Sequence, residues 1–344
     1  MRQVVLKAPR QLEFREIPAP TSDQLGPHQV LVNVKRIGIC GSEIHSYEGV
    51  HPATFYPVVQ GHEYSAVVTA VGPEVTVCKV GDIVTARPQL VCGECAPCRR
   101  GQYNVCENLR VQAFQADGAC QDYFILDDDR VVPVPRSVSL DYAAMVEPAS
   151  VGVHAVSRAG DIRGKNVVVS GAGTIGNLVA QAAISAGAAK VLITDISDLR
   201  LDIARQCGIA ETLNVSKKPL KDAVSEVFGD EGYQVGFEVA GVESSIRSLM
   251  ETIEKGSTIV VVAVFAKDPQ LSMFYLGEHE LTLVGTMMYR HEDFVKTVEN
   301  IAAGKVCLEP LVSNRFSFEQ YDEAYKFIEE NRAVSMKVII DLDK

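Results

Sequence analysis

Two textures divide the chain. Through the first 150 residues apolar positions come in short runs and alternations: Val30, Val32 and Val34 fall on one side of a strand. Glu63 to Val71 and Tyr123 to Leu126 predict further strands, with Gly, Pro and Asp clusters between them. From Ser137 to Arg163 the spacing turns helical, and then strands and helices alternate. Val167–Val169, Val191–Thr194, Val235–Val239, Thr258–Val264 and Leu281–Val284 are short apolar runs, separated by helical stretches such as Leu178–Ala186 and Ser244–Lys255. Apolar strands alternating with amphipathic helices predict a parallel sheet covered on both faces. After Arg290 two helical stretches, Asp293–Ala303 and Glu319–Asn331, lead to a last strand at Lys337–Ile340. The pattern predicts a β-rich domain joined to a doubly wound α/β domain, and by itself leaves function open.

Composition narrows the classes. A chain of 344 residues has room for about two domains at roughly 100–200 residues each. Its 47% apolar and 22% charged residues are those of a folded globular protein. Lys and Arg number 33 against 44 Asp and Glu, a net charge of −11, which excludes a nucleic-acid or anionic-membrane binder that relies on a positive field. Asn166 to Ala189 carries no charge, but four glycines and several polar residues suit a strand, a turn and a helix better than a membrane span. Val4–Leu6, the only apolar run near the N-terminus, is too short for a signal-peptide core, so a cytoplasmic location is expected. Cysteine usage agrees: of nine, Cys92, Cys95, Cys98 and Cys106 cluster, as metal-binding thiols do. Cys78, Cys120, Cys207 and Cys307 have no partner spacing and are expected to be small buried residues.

The run Val167–Val169 leads into Ser170-Gly171-Ala172-Gly173-Thr174-Ile175-Gly176 and then a helix. A glycine triplet alone is weak; between a strand and a helix it has a mechanism. Gly171 makes the turn, Gly173 lets backbone approach a pyrophosphate, and Gly176 lets helix pack on strand. Thr174 and Ile175 open a helix whose free N–H groups and positive dipole end suit phosphates. Asp195, after the second strand, is 24 positions beyond Gly171, near the spacing of a carboxylate that binds ribose hydroxyls. That carboxylate repels a 2′-phosphate, so NAD is expected over NADP.

Two metal sites are expected. Cys92, Cys95, Cys98 and Cys106, spaced C-x2-C-x2-C-x7-C, supply four thiolates for a closed structural zinc; the spacing also partly resembles an iron–sulfur site. The second set is dispersed: Cys40, then His62 and Glu63 in Gly61-His62-Glu63, then Glu147 in Val146-Glu147-Pro148. Mixed S, N and O ligands suit a catalytic zinc that keeps a place for substrate. Each of these residues is ambiguous alone; the combination carries the weight.

Cys40-Gly41-Ser42 with His45, Gly61-His62-Glu63, the four-cysteine lobe and the later glycine fingerprint resemble the zinc-dependent medium-chain dehydrogenases, over essentially the whole chain and in the family's order. Glu147-Pro148-Ala149-Ser150-Val151-Gly152-Val153-His154 is similar to the polyol (sorbitol-type), sugar-alcohol-phosphate and sugar-acid branches. The resemblance implies a GroES-like catalytic domain at residues 1–150 with a zinc lobe at about 88–108, a Rossmann domain at 151–289, and a 290–344 segment returning to the catalytic domain. It implies two zinc ions per chain, NAD, a polyol or sugar-derived substrate, and a homodimer or homotetramer. It also places Ser42 and His45 in a proton relay and Arg200 beside the adenosine side of NAD. Two departures stand out: Glu43 follows Cys-Gly-Ser where the family commonly has Asp, and Met288 stands where sorbitol-type enzymes tend to carry an arginine. The second weakens sorbitol itself as substrate.

The chemistry these residues support is oxidation of a secondary hydroxyl, with hydride passing to NAD. An L-threonine 3-dehydrogenase shares much of the zinc pattern and is the alternative within enzymes. A non-catalytic NAD-binding or redox-sensing protein is the alternative of another class, and it is expected to have lost Cys40, His62 or Glu147.

Overall fold

The computed structural model describes Met1–Asp343. Two compact units share the chain: Met1–Glu147, Arg290–Ala302 and the chain from Val312 onward form one, while Pro148–Tyr289 and Ala303–Leu311 form the other. The C-terminal stretch thus belongs to the first unit except for Ala303–Leu311, which packs with the second.

In chain order the first unit opens with β1 (Arg2–Ala8), β2 (Gln11–Glu16), β3 (Gln29–Ile39), helix α1 (Gly41–Glu48), β4 (Glu63–Val71), β5 (Ile83–Ala86), β6 (Gln89–Leu90), α2 (Ala96–Arg99), β7 (Arg110–Val111), β8 (Tyr123–Asp127), β9 (Val131–Val134) and α3 (Leu140–Ala144). Helix α4 (Val146–Arg158) crosses into the second unit. There follow β10 (Asn166–Ser170), α5 (Thr174–Ser185), β11 (Lys190–Asp195), α6 (Asp198–Gln206), β12 (Glu211–Asn214), α7 (Leu220–Phe228), β13 (Val235–Glu238), α8 (Glu243–Thr252), β14 (Thr258–Val261), α9 (Met273–Glu278) and β15 (Thr282–Gly285). Helix α10 (His291–Ala302), β16 (Val312–Ser317), α11 (Tyr321–Glu330) and β17 (Lys337–Asp341) complete the chain.

The first unit's main sheet runs β16-β17-β3-β4-β5-β9, with β8 also paired to β3. Val30, Val32 and Val34 of β3 are buried together with Tyr64, Phe124 and Ile340, so the valine alternation reports one core-facing side. Register decides what stands at one end of this sheet. Antiparallel pairing sets Val338 opposite Ile39 and Gly38 opposite Glu63. The start of β17, the end of β3 and the start of β4 are therefore neighbours, though 274 residues separate Lys337 from Glu63.

The second unit is a six-stranded parallel sheet, β12-β11-β10-β13-β14-β15. Val167 and Val169 pack into one core with Ile193 and Phe237, while Val168 faces another with Leu192 and Ile259. Both faces are covered, as the near-continuous apolar strands require. The chain steps to opposite sides of β10 on leaving β12, which makes the β10/β13 junction the topological switch point where such sheets bind ligands. Asn166 to Ala189 resolves into β10, the glycine turn and α5, and no described helix is long and apolar enough to cross a membrane.

One expectation fails. Cys78, Cys120 and Cys207 are buried, but Cys307 is exposed. Leu308 and Leu311 take the inward positions of that short segment and leave Cys307 outside.

Candidate active site and metal centres

Helix α1 begins at the residue after Cys40, which caps it in an extended conformation. Sheet register brings the start of β4 alongside, and the Sγ of Cys40, a ring nitrogen of His62 and a carboxylate oxygen of Glu63 lie within 4.8 Å of one another. Gly38 is what makes room: a Cβ there would sit 2.3 Å from Glu63 Oε2. One soft and two harder donors at this separation fit a zinc ion with a coordination position left for substrate. Glu147, in the first turn of α4 and buried, is outside that convergent group, although its charge acts on Lys337.

Two residues that sequence reasoning did not assign hold these donors. Glu43 is fully buried, and its Oε1 accepts from His62 Nδ1 at 2.9 Å and from the Gly61 N–H at 2.7 Å, while Oε2 accepts from the Cys40 N–H at 3.2 Å. A single carboxylate thus fixes the backbone of one donor and the ring of another, leaving Nε2 as the ligating nitrogen. Burial opposes ionisation of Glu43, but the His62 ring and the two N–H groups outweigh it and hold its pKa below the ordinary value. Burial likewise opposes charge on His62, yet Glu43 and Cys40 raise it well above its usual range. The departure from Asp to Glu was visible in the sequence; its reach to three partners was not.

Lys337 is the second. Its buried ammonium donates to both oxygens of Glu63, at 2.7 and 2.6 Å, and to the Ile39 carbonyl at 3.1 Å. Burial works against that charge, but Glu63 and Cys40 raise the Lys337 pKa. The available cue was a lysine heading the apolar run Val338–Ile340 of the final strand.

Ser42 and His45 lie one turn apart on α1, Ser42 half-buried and His45 exposed. Beside them His51 stacks on Phe114 at 4.6 Å, and Phe114 in turn packs against His62 at 5.3 Å, forming an aromatic wall next to the donors. His51 Nδ1 bonds Thr54 Oγ1 at 2.9 Å.

In the lobe around α2, the four thiols of Cys92, Cys95, Cys98 and Cys106 also converge within 4.8 Å. Sulfurs about 2.3 Å from a tetrahedral zinc stand about 3.8 Å apart. The observed Cys95–Cys106 and Cys106–Cys92 separations are 3.8 and 3.5 Å, so the lobe is already folded to that geometry. The N–H groups of Cys95 and Glu94 pull the Cys92 thiol down to about 6, while burial and the neighbouring thiols push Cys98 up to about 12.

The second unit carries the nucleotide loop. Gly171 has φ +108°, and a Cβ on Gly176 would lie 1.8 Å from the Gly171 carbonyl, so both positions demand glycine. Gly173 caps α5, which starts at Thr174 and Ile175. Asp195, at the end of β11, accepts from the Ala172 N–H at 2.8 Å and the Ser197 N–H at 2.9 Å, which fixes it against the loop. Arg200 of α6 approaches it at 3.9 Å.

The first half of the chain matches the alcohol dehydrogenase GroES-like domain over residues 26–136, and residues 174–303 match the zinc-binding dehydrogenase domain. A probable D-xylulose reductase A of Emericella nidulans is 32% identical over 338 residues, covering 96% of this chain and 94% of that protein. The chain belongs to the zinc-binding dehydrogenase family. As such it is a zinc-dependent oxidoreductase with a GroES-like domain and a Rossmann-like domain, and the non-catalytic alternative falls away. Sorbitol dehydrogenase of Bacillus subtilis is 29% identical over 99% of this dehydrogenase and 97% of its own chain. L-threonine 3-dehydrogenase of a Marinomonas species is 30% identical, with 98% of each chain covered. Among solved structures, galactitol-1-phosphate dehydrogenase from Escherichia coli superposes with a TM-score of 0.91 at 28% identity, covering 99% of this chain and 100% of that one. A zinc-binding dehydrogenase from Sinorhizobium meliloti bound to NADP superposes with a TM-score of 0.88 at 26% identity, covering 99% and 98% of the two chains.

Proposed function

We propose that this dehydrogenase oxidises a secondary hydroxyl of a polyol, sugar acid or sugar-alcohol phosphate and passes the hydride to NAD. The observation that carries the reading is the convergence of Cys40, His62 and Glu63 at one sheet end, each braced by a buried partner. The names of the relatives, a xylulose reductase, a sorbitol dehydrogenase and a galactitol-1-phosphate dehydrogenase, supply the substrate class.

Zinc held in this site would supply Lewis-acid chemistry, lowering the pKa of a substrate hydroxyl toward the neutral range. Cys40, His62 and Glu63 would hold it, with Glu147 the buried carboxylate whose charge also acts on Lys337. Glu43 orients His62 and keeps Nε2 available. Lys337 balances the Glu63 charge, so that three anionic or polar donors share one buried place without mutual repulsion. Ser42 takes the hydroxyl proton, which leaves to water by way of the exposed His45 on the same helix. Phe114 and His51 form a wall that excludes water beside the reacting carbon. Gly171, Gly173, Thr174, Ile175 and Gly176 receive the cofactor pyrophosphate, Asp195 its ribose hydroxyls, and Arg200 its adenosine side. Cys92, Cys95, Cys98 and Cys106 hold a second, structural zinc. Domain limits of 1–150, 151–289 and 290–344, with Ala303–Leu311 of the last segment belonging to the second unit, assembly as a homodimer or homotetramer, and a cytoplasmic location complete the reading.

The test is NAD reduction across polyols, aldonates, their phosphates and L-threonine with the zinc-loaded enzyme. Turnover of one of the sugar-derived classes well above all others supports the assignment. Turnover of L-threonine above every polyol and aldonate overturns it.

A further inference from the structure

Away from the metal sites, the Cys307 thiol comes up against the end of α6 that Cys207 caps, although the two cysteines are 100 positions apart in the chain. Cys207 is the C-terminal cap of α6, fixed by its N–H to the Ile203 carbonyl at 2.9 Å. Cys307 lies in Ala303–Leu311, the excursion that packs with the second unit and contacts α6. Its backbone is pinned on both sides by one side chain: Gln181 Oε1 accepts from the Cys307 N–H at 2.6 Å, and Gln181 Nε2 donates to the Cys307 carbonyl at 3.1 Å. Ser185 adds a bond to the Lys305 carbonyl at 3.4 Å. The Cys307 thiol reaches the carbonyl of Gln206, the residue before Cys207, at 3.8 Å. One thiol of the pair is exposed and the other buried. Neither belongs to either metal cluster.

We infer that Cys207 and Cys307 form a peroxide-sensitive dithiol that closes to a disulfide. Exposure decides the order of events. Burial, and then the neighbouring Cys307, push the Cys207 thiol up to about 12, so it is not the thiol that meets the oxidant first. The Cys307 sulfur attacks a peroxide oxygen, the O–O bond breaks, and one water leaves a sulfenic acid on Cys307. The Cys207 sulfur then attacks that sulfur, the S–O bond breaks, and the departing hydroxide takes the Cys207 proton as a second water. Two thiols are oxidised to one disulfide, and one hydrogen peroxide is reduced to two waters. The bond ties the Ala303–Leu311 excursion to α6, the helix that follows Asp195. Closing a loop of about 100 residues restricts the unfolded chain and stabilises the oxidised form.

The experiment treats the full-length, zinc-loaded enzyme with stoichiometric hydrogen peroxide, blocks remaining thiols, and maps peptides without reduction. The expected product is a Cys207–Cys307 cross-linked peptide, released by dithiothreitol, with a raised melting temperature that reverts on reduction. Cys207→Ser is expected to stop at an oxidised Cys307 trapped by dimedone, and Cys307→Ser to leave Cys207 reduced. Because Cys307 is exposed, Cys307→Ala serves equally well should the serine variant be poorly behaved. The inference is overturned if both thiols stay alkylatable while other cysteines oxidise, or if Cys307 oxidises equally far in wild type and Cys207→Ser with no cross-link.

Discussion

The two candidate metal clusters are built in opposite ways. The cysteine lobe draws all four donors from one short stretch, Cys92 to Cys106, and needs little from the rest of the fold beyond a turn of helix at Ala96–Arg99. The Cys40, His62 and Glu63 cluster draws its donors from the ends of β3 and β4 and its support from α1 and from β17. A local site can be read from spacing, because chain geometry alone brings its thiols together. A dispersed site exists only once sheet register is right, and its supporting charges are as far away in sequence as the register allows. The lobe, four thiolates and no open position, is suited to holding structure; the dispersed site, three unlike donors with buried braces, is suited to chemistry.

That contrast can be broken by substitution. The largest effect is expected for Cys40→Ala, which removes a donor from the dispersed site: turnover falls by at least about 10³-fold, a barrier change of about 4 kcal/mol. Metal analysis should show one zinc kept by the lobe. In Cys95→Ser the reverse pattern is expected, with the lobe's zinc lost and the melting temperature lowered by several degrees while Cys40, His62 and Glu63 still bind metal. A Cys40→Ala enzyme with both zinc ions and ordinary turnover would erase the distinction.

Next in size is Lys337→Met. With side-chain exposures of 5% and 1%, Lys337 and Glu63 are screened little by solvent, and removing the ammonium leaves a buried carboxylate uncompensated. The expected cost in the metal-free protein is about 3–5 kcal/mol by urea unfolding. Zinc, itself a cation beside Glu63, should recover much of that loss. Equal destabilisation with and without zinc would show that Lys337 does not serve the metal site.

Asp195→Asn tests the second unit. Removing the charge while keeping an acceptor is expected to narrow the preference for NAD over NADP by roughly tenfold, about 1.4 kcal/mol, in the ratio of kcat/KM values. An unchanged ratio would move the discrimination elsewhere.

The smallest effect concerns Glu238, at the end of β13 beside the nucleotide loop. Burial raises its pKa despite bonds to Oε1 from Ser245 Oγ and from the N–H groups of Gly241 and Ala240. A carboxyl raised on folding contributes stability that is full below the unfolded value near 4.5 and declines as pH rises through the higher folded value. Glu238→Gln keeps the Oε1 acceptor and cannot titrate, so the variant should gain on wild type as pH rises above about 4.5. Parallel stability curves across that range would remove the effect.

Much of the fold was legible because its signals are local. Short apolar strands between helices marked the parallel sheet, and the glycine turn with Asp195 marked its ligand edge. The same locality made the cysteine lobe plain. Glu43, Lys337 and Gly38 were opaque for a common reason: what each does depends on a partner fixed by strand pairing across tens to hundreds of residues. Glu43 looked like a departure from a motif, Lys337 like the edge of a strand, and Gly38 like a weak position within one. Cys307 was misjudged as buried because cysteine's general preference for the interior gave way to Leu308 and Leu311 in a segment with few inward places.

The central claim is that an ion held by Cys40, His62 and Glu63 is what activates the substrate hydroxyl. The direct measurement follows zinc content and NAD reduction together during timed chelation of the folded enzyme. Turnover is predicted to vanish with loss of the first, more open zinc while the lobe keeps its own, and to return when zinc is restored. Full turnover after that first zinc has gone would contradict the account.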